Sequence, residues 1–139
     1  MDALRSLFER KAQFFTDGDI SALGRTLKTP TALYFGDRLL PMPHEDAVND
    51  LMFAYRAELV EKGFDHTTFE ILETKSDKPG CAVAKVRWSN RDRNDAEIST
   101  WTGTYFCEQS GQDWRVTMVD VLDLHQSTLR LAKTLVPDG

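Results

Sequence analysis

The segment TGTYFCEQSGQDWRVTMVD, Thr102 to Asp120, ends on a carboxylate in phase with Trp114, Val116 and Met118 along an alternating extended run. A two-residue loop at Ser110-Gly111 sets Cys107 opposite Trp114, Tyr105 opposite Val116, Gly103 opposite Met118 and Trp101 opposite Asp120, all on one face. A second loop at Arg91 to Asn94 extends that face, with Trp88 opposite Glu97, Val86 opposite Ser99 and Ala84 opposite Trp101. A carboxylate walled by Trp88, Trp101 and Met118 would be desolvated, which suits it to take a proton from a carbon beside a carbonyl. Tyr105 on the same face, or Tyr34 or Tyr55, would then donate to the oxygen that gains charge. Asp120 also has a purely structural reading, in which it accepts an indole N–H or caps a following helix, as buried polar groups usually do. Both readings stand at the level of sequence.

Other chemistries lack their residue patterns. Cys81 and Cys107 are the only cysteines and form no CxxC, and they fall on opposite faces of the predicted sheet, so neither a zinc site nor a disulfide is expected. His44, His66 and His125 are scattered, and HEDAV at His44 fails the HExxH pattern because Val48 stands where the second histidine belongs. No metal and no organic cofactor are expected. Seventeen basic against 22 acidic residues give a formal charge of -5, which opposes general nucleic-acid binding. No apolar run reaches the ~20 residues of a membrane span, and the first fifteen residues mix charges with apolar positions unlike a secretory leader, so a cytoplasmic protein is expected.

The elements that must position these groups follow from periodicity. Leu4, Leu7, Phe8, Lys11, Ala12 and Phe15 recur at helical spacing and stop at Asp17-Gly18; Asp19 then caps a short second helix that ends before Pro30. Thr31–Phe35 and Arg38–Leu40 read as a hairpin. His44-Glu45-Asp46 opens a helix whose buried stripe is Val48, Leu51, Met52, Tyr55 and Leu59, and Gly63 stops it. Strand patterns then occupy residues 67–74, 80–90, 96–108 and 113–121, giving an α+β order of helices followed by a meander. Alanines 82 and 84 and Gly103 beside three tryptophans leave room for a cavity against the helices. Residues 1–122 form the domain, and residues 123–139 a tail helix of that domain, with Leu124, Thr128, Leu131 and Leu135 sharing a face.

With FFTDGDISAL at Phe14 to Leu23, the hairpin before a long helix, and a last hairpin reading SGQDWRV, the chain resembles the NTF2-like superfamily, in particular its SnoaL-like branch. The resemblance implies a cone of helices packed on a strongly curved, mostly antiparallel sheet, with a pocket inside and a homodimer through the convex face. It covers isomerases, dehydratases, cyclases, binders and dimerisation modules, so it specifies fold rather than reaction. Within it, ketosteroid isomerase pairs an Asp base with a Tyr donor. The expected ligand is a small hydrophobic, carbonyl-bearing molecule touching Trp88, Trp101, Met118, Tyr34, Tyr55 and Ser99. The expected chemistry is cofactor-independent isomerase or lyase action, with Asp120 as base and Tyr105 as donor. The other reading is a non-catalytic binding or dimerisation module. A His-Asp dyad on the sheet is absent because Met118 stands where a histidine would be natural.

Overall fold

The computed structural model describes residues 2–36 and 38–123. Three helices, α1 (Asp2–Asp17), α2 (Ile20–Gly24) and α3 (Glu45–Glu61), pack on a six-stranded sheet. Its strands are β1 (Thr31–Phe35), β2 (Arg38–Met42), β3 (Phe64–Lys78), β4 (Cys81–Asp92), β5 (Glu97–Ser110) and β6 (Asp113–Asp123). The order is β2-β1-β6-β5-β4-β3, antiparallel except where β1 joins β6 in parallel. The sheet curls without closing, and α3 touches both of its edge strands, β2 and β3. This is the expected α+β fold. The expected tail helix lies outside the described residues except for Asp123, its expected first residue, which ends β6 and accepts a hydrogen bond from the Thr102 backbone N–H.

Local chemistry accounts for the element ends. Asp19 Oδ1 accepts from the Ala22 backbone N–H at 3.2 Å and starts α2. Glu45 and Asp46 sit in the first turn of α3, where the helix dipole favours acids. Gly63, which ends α3, has φ of 94°, a left-handed conformation that a side chain would strain. On α1, Leu4, Leu7, Phe8, Lys11 and Phe15 are all buried, so the stripe read from sequence is the core face of the helix, lysine included.

Strand pairing differs from the expected register in two ways. The β4–β5 turn is longer than supposed, because Asp92 Oδ1 accepts from the backbone N–H groups of Asn94 and Ala96, both at 2.9 Å. Trp88 therefore faces Trp101, and Ala84 faces Tyr105. A four-residue slip is even, so these residues keep the expected face. The β5–β6 difference is odd beyond Val116. Cys107 pairs with Val116, but Phe106 pairs with Met118, leaving Thr117 as an extra residue whose hydroxyl donates to Phe106 O at 3.0 Å. The bulge sits where β6 changes its other neighbour. Val116 exchanges backbone bonds with Thr26 and Lys28, whereas Val119 to Val121 align with Leu33 to Phe35 of β1.

Candidate functional site

The bulge decides what faces the helices. Before it, Trp114 and Val116 point inward; beyond it, Val119 and Val121 do, and both line the cavity between helices and sheet. Met118 and Asp120 are turned to the outer face, beside Tyr34 and Thr104, so the expected pocket-facing carboxylate is not there. Tyr34 is 37% exposed and does not line the cavity. Ser99 is absent from the lining too, but it stands just behind it, accepting from Asn90. Trp88, Trp101, Tyr55 and Tyr105 do line it. Of the expected residues the structure thus assembles four at the cavity, one behind it, and none of the remaining three.

The cavity measures about 100 Å³. Since an apolar cavity of roughly 150 Å³ takes one benzene ring, this one is matched to a ligand no larger than about one small ring. Phe15, Leu23, Leu33, Val48, Leu51, Val119 and Val121 make most of its wall apolar. Leu27, Phe35, Met52 and Trp101 are only half-buried and leave apolar surface for a ligand to cover. Among the described lining residues there is no Asp, Glu or His, and among the described residues no group of three His, Cys, Asp or Glu is placed to hold a metal ion.

Among its polar groups the Thr67 hydroxyl donates to Ser89 O at 3.1 Å, four others form two hydrogen-bonded pairs, and one is an exception. Trp88 Nε1 donates to the Tyr105 hydroxyl at 2.7 Å, and Phe8 packs edge-on against the Tyr105 ring at 5.1 Å. That leaves the Tyr105 proton with no acceptor among the described residues. Asn90 Nδ2 donates to the Tyr55 hydroxyl at 3.1 Å and to Ser99 Oγ at 3.2 Å. Burial pushes the Tyr55 hydroxyl up to about 12, and pushes Tyr105 well above the ordinary tyrosine range, so both stay protonated donors.

Lys11 is the exception. Its side chain is 6% exposed and reaches the cavity from α1. Nζ donates to Thr26 Oγ1 at 2.7 Å, the Thr26 hydroxyl donates in turn to Leu23 O at 2.6 Å, and the ammonium lies 5.8 Å from the Tyr105 ring centroid. No carboxylate is paired with it among the described residues. Burial lowers its pKa to about 8, offset slightly by the Cys107 thiol, which burial raises to about 12. Lys11 is therefore the one described lining group that changes charge near neutral pH. The sequence carried the signal, since a lysine stood inside the Leu4–Phe15 apolar stripe; a lysine in such a place usually reaches past the core to water, and this one does not.

The geometry agrees with the comparisons. A family model described as NTF2-like protein (DUF6841) matches residues 2–123. No match was found among curated proteins. Among solved structures, an NTF2-like protein of unknown function from Shewanella oneidensis is similar at 19% identity, covering 88% of this chain and 98% of its own, with a TM-score of 0.67. Aln2 from a Streptomyces species shares 10% identity over 93% of each chain, at a TM-score of 0.71. A ketosteroid isomerase-like protein from Erwinia carotovora shares 11% identity over 89% of this chain and 97% of its own, at 0.62. At such identities the likeness establishes fold alone, while the family model spans most of the chain: this protein belongs to the NTF2-like family.

Proposed function

We propose that the protein is a SnoaL-like member that binds a small, largely apolar molecule bearing a carbonyl oxygen inside the cone. The observation that carries this reading is a mostly apolar wall in which the donors left to a ligand are the Lys11 ammonium and the Tyr105 hydroxyl. An apolar body gains by covering the half-buried Trp101 and Phe35 surface, and an oxygen acceptor relieves two buried donors whose hydrogen-bonding capacity is only partly used. Any isomerase or lyase action belongs to Lys11 and Tyr105 rather than to Asp120, which faces outward. A cytoplasmic location goes with this proposal.

Thermal-shift titration with acetophenone and with ethylbenzene, near-equal in shape, tests the reading. Acetophenone should stabilise the protein more, and Lys11→Met combined with Tyr105→Phe should erase the difference. Equal shifts from both compounds, or none, would discard it.

A second reading, a dimerisation module, rests on the outer face, where Tyr34, Leu39 and Leu122 are exposed at 37%, 48% and 49% beside Met118 and Phe106. An apolar patch of that kind is suited to a second copy. Val119 and Val121 point inward and take no part in that face. Sedimentation at micromolar concentration should show a dimer that Leu122→Lys disrupts; a monomer refutes this reading.

A further inference from the structure

Asp120 faces away, so the cavity's chemistry must come from what lines it. Its titratable lining groups are Lys11, Tyr55 and Tyr105. The two tyrosines stay protonated in their apolar setting. Lys11 differs in placement as much as in charge. Lys11 is part of the cavity wall, its acceptor is the neutral Thr26 hydroxyl, and among the described residues no carboxylate stands by to hold it as an ammonium. From β5 it is faced by the Tyr105 ring and the Cys107 thiol; from the segment after α2, by the Thr26 hydroxyl. None of these is anionic at neutral pH.

From that placement we infer that Lys11 Nζ is a nucleophile that forms a reversible imine with an aldehyde or ketone carbonyl held in the cavity. This rests on the carbonyl-binding reading above and adds a covalent step to it. The neutral amine adds its lone pair to the carbonyl carbon, forming the C–N bond, while the C=O π pair moves to oxygen. One nitrogen proton passes to that oxygen to give the carbinolamine hydroxyl; the nitrogen lone pair then forms C=N as the hydroxyl takes up a second proton, balanced by loss of the remaining nitrogen proton, and leaves as water. Amine and carbonyl give imine and water, with no oxidant or reductant required. Thr26 Oγ1 holds the nitrogen at the wall, and the unspent Tyr105 proton can hydrogen-bond the carbonyl oxygen as it gains charge. With Nζ titrating at about 8, on the order of a tenth of the molecules present a neutral amine at pH 7, whereas an ordinary lysine presents a few in ten thousand at most. A protonated imine is also an electron sink for proton removal at the neighbouring carbon, which is the step an isomerase or lyase acting on a carbonyl compound requires.

The test uses benzaldehyde with sodium cyanoborohydride, which reduces an imine to a stable amine, followed by peptide mapping. The full chain should gain the mass of benzaldehyde less one oxygen atom on Lys11 before the exposed Lys75 or Lys78. Excess benzyl alcohol, which fills the same space but forms no imine, should block that adduct. Tyr105→Phe should slow it at least several-fold. Lys11→Arg keeps a cation and should lose the adduct; Lys11→Met serves the same purpose if the arginine does not fold. Benzaldehyde that stabilises the protein in a thermal melt yet labels Lys11 no faster than Lys75 overturns the imine and leaves the binding reading standing. Labelling of Lys11 that benzyl alcohol does not block overturns it as well. Failure to stabilise and failure to label together defeat both proposals.

Discussion

Replacing Lys11 with methionine should stabilise the protein, the reverse of most core substitutions. Holding the Lys11 charge in an apolar site lowers its pKa from the ordinary 10.5 to about 8, equivalent to a cost of about 3 kcal/mol while the group is protonated. Methionine removes that cost in nearly the same volume. It also removes the hydrogen bond to Thr26 and the contact with the Tyr105 ring, together worth about 1–2 kcal/mol. The net gain at pH 7 is then about 1–2 kcal/mol. The pH dependence is a sharper signature. Between the folded value of about 8 and the unfolded 10.5 the unfolded chain binds the extra proton, so wild-type stability rises with pH. The rise from pH 8 to pH 9 is about 1 kcal/mol. That is Lys11's own contribution; Cys107 opposes it from about pH 8 and Tyr55 above about pH 9, because both, raised to about 12, keep protons in the folded state that the unfolded chain releases. Urea unfolding of both proteins at pH 7, 8 and 9 reads this directly, since the difference between them cancels groups they share. A variant less stable by more than about 2 kcal/mol, or a difference that stays constant across these pH values, would refute a buried, unpaired ammonium.

Three further outcomes follow from the cavity and its supports. Gly103→Ala should cost about 1–3 kcal/mol and weaken acetophenone binding, since its Cβ would stand 2.8 Å from Trp101 Cζ3 and 3.3 Å from Tyr105 Cε2; a thermal melt and ligand titration check both. Asn90→Leu should cost about 1–3 kcal/mol in urea unfolding by leaving the Tyr55 hydroxyl and Ser99 Oγ without their buried donor; a neutral result would mean those hydroxyls have another partner. Asp120→Asn should leave acetophenone binding unchanged and stability within about 0.5 kcal/mol; a tenfold loss of binding would return the carboxylate to the pocket.

How far the sequence reaches is clearest on β6 and α1. Periodicity located every described helix and strand, because each buries one face and the spacing of apolar residues records which. Even the four-residue slip between β4 and β5 did no harm, since Trp88 and Trp101 remain on the inner face. One extra residue at Thr117 undid the inference about Asp120. Nothing local marks that bulge. It arises where β6 exchanges the segment around Leu27 for β1 as its neighbour, a pairing between residues about ninety positions apart that alternation within one strand does not record. Lys11 failed in the opposite way: its place on the buried stripe was legible, and its meaning was not. Whether a lysine on such a stripe escapes to water depends on what lies beyond it, and here Thr26 and the β5 side chains close that path.

Lys11 is central to the cavity's chemistry as a buried amine that loses its proton near pH 8. Selective labelling of lysine side chains with carbon-13 at Cε, with Lys11 assigned by its absence from Lys11→Met, allows its titration to be followed by NMR from pH 6 to 11. A Lys11 midpoint near 8, separated from the exposed lysines, is the predicted result; a midpoint at the ordinary 10.5 alongside them would contradict it.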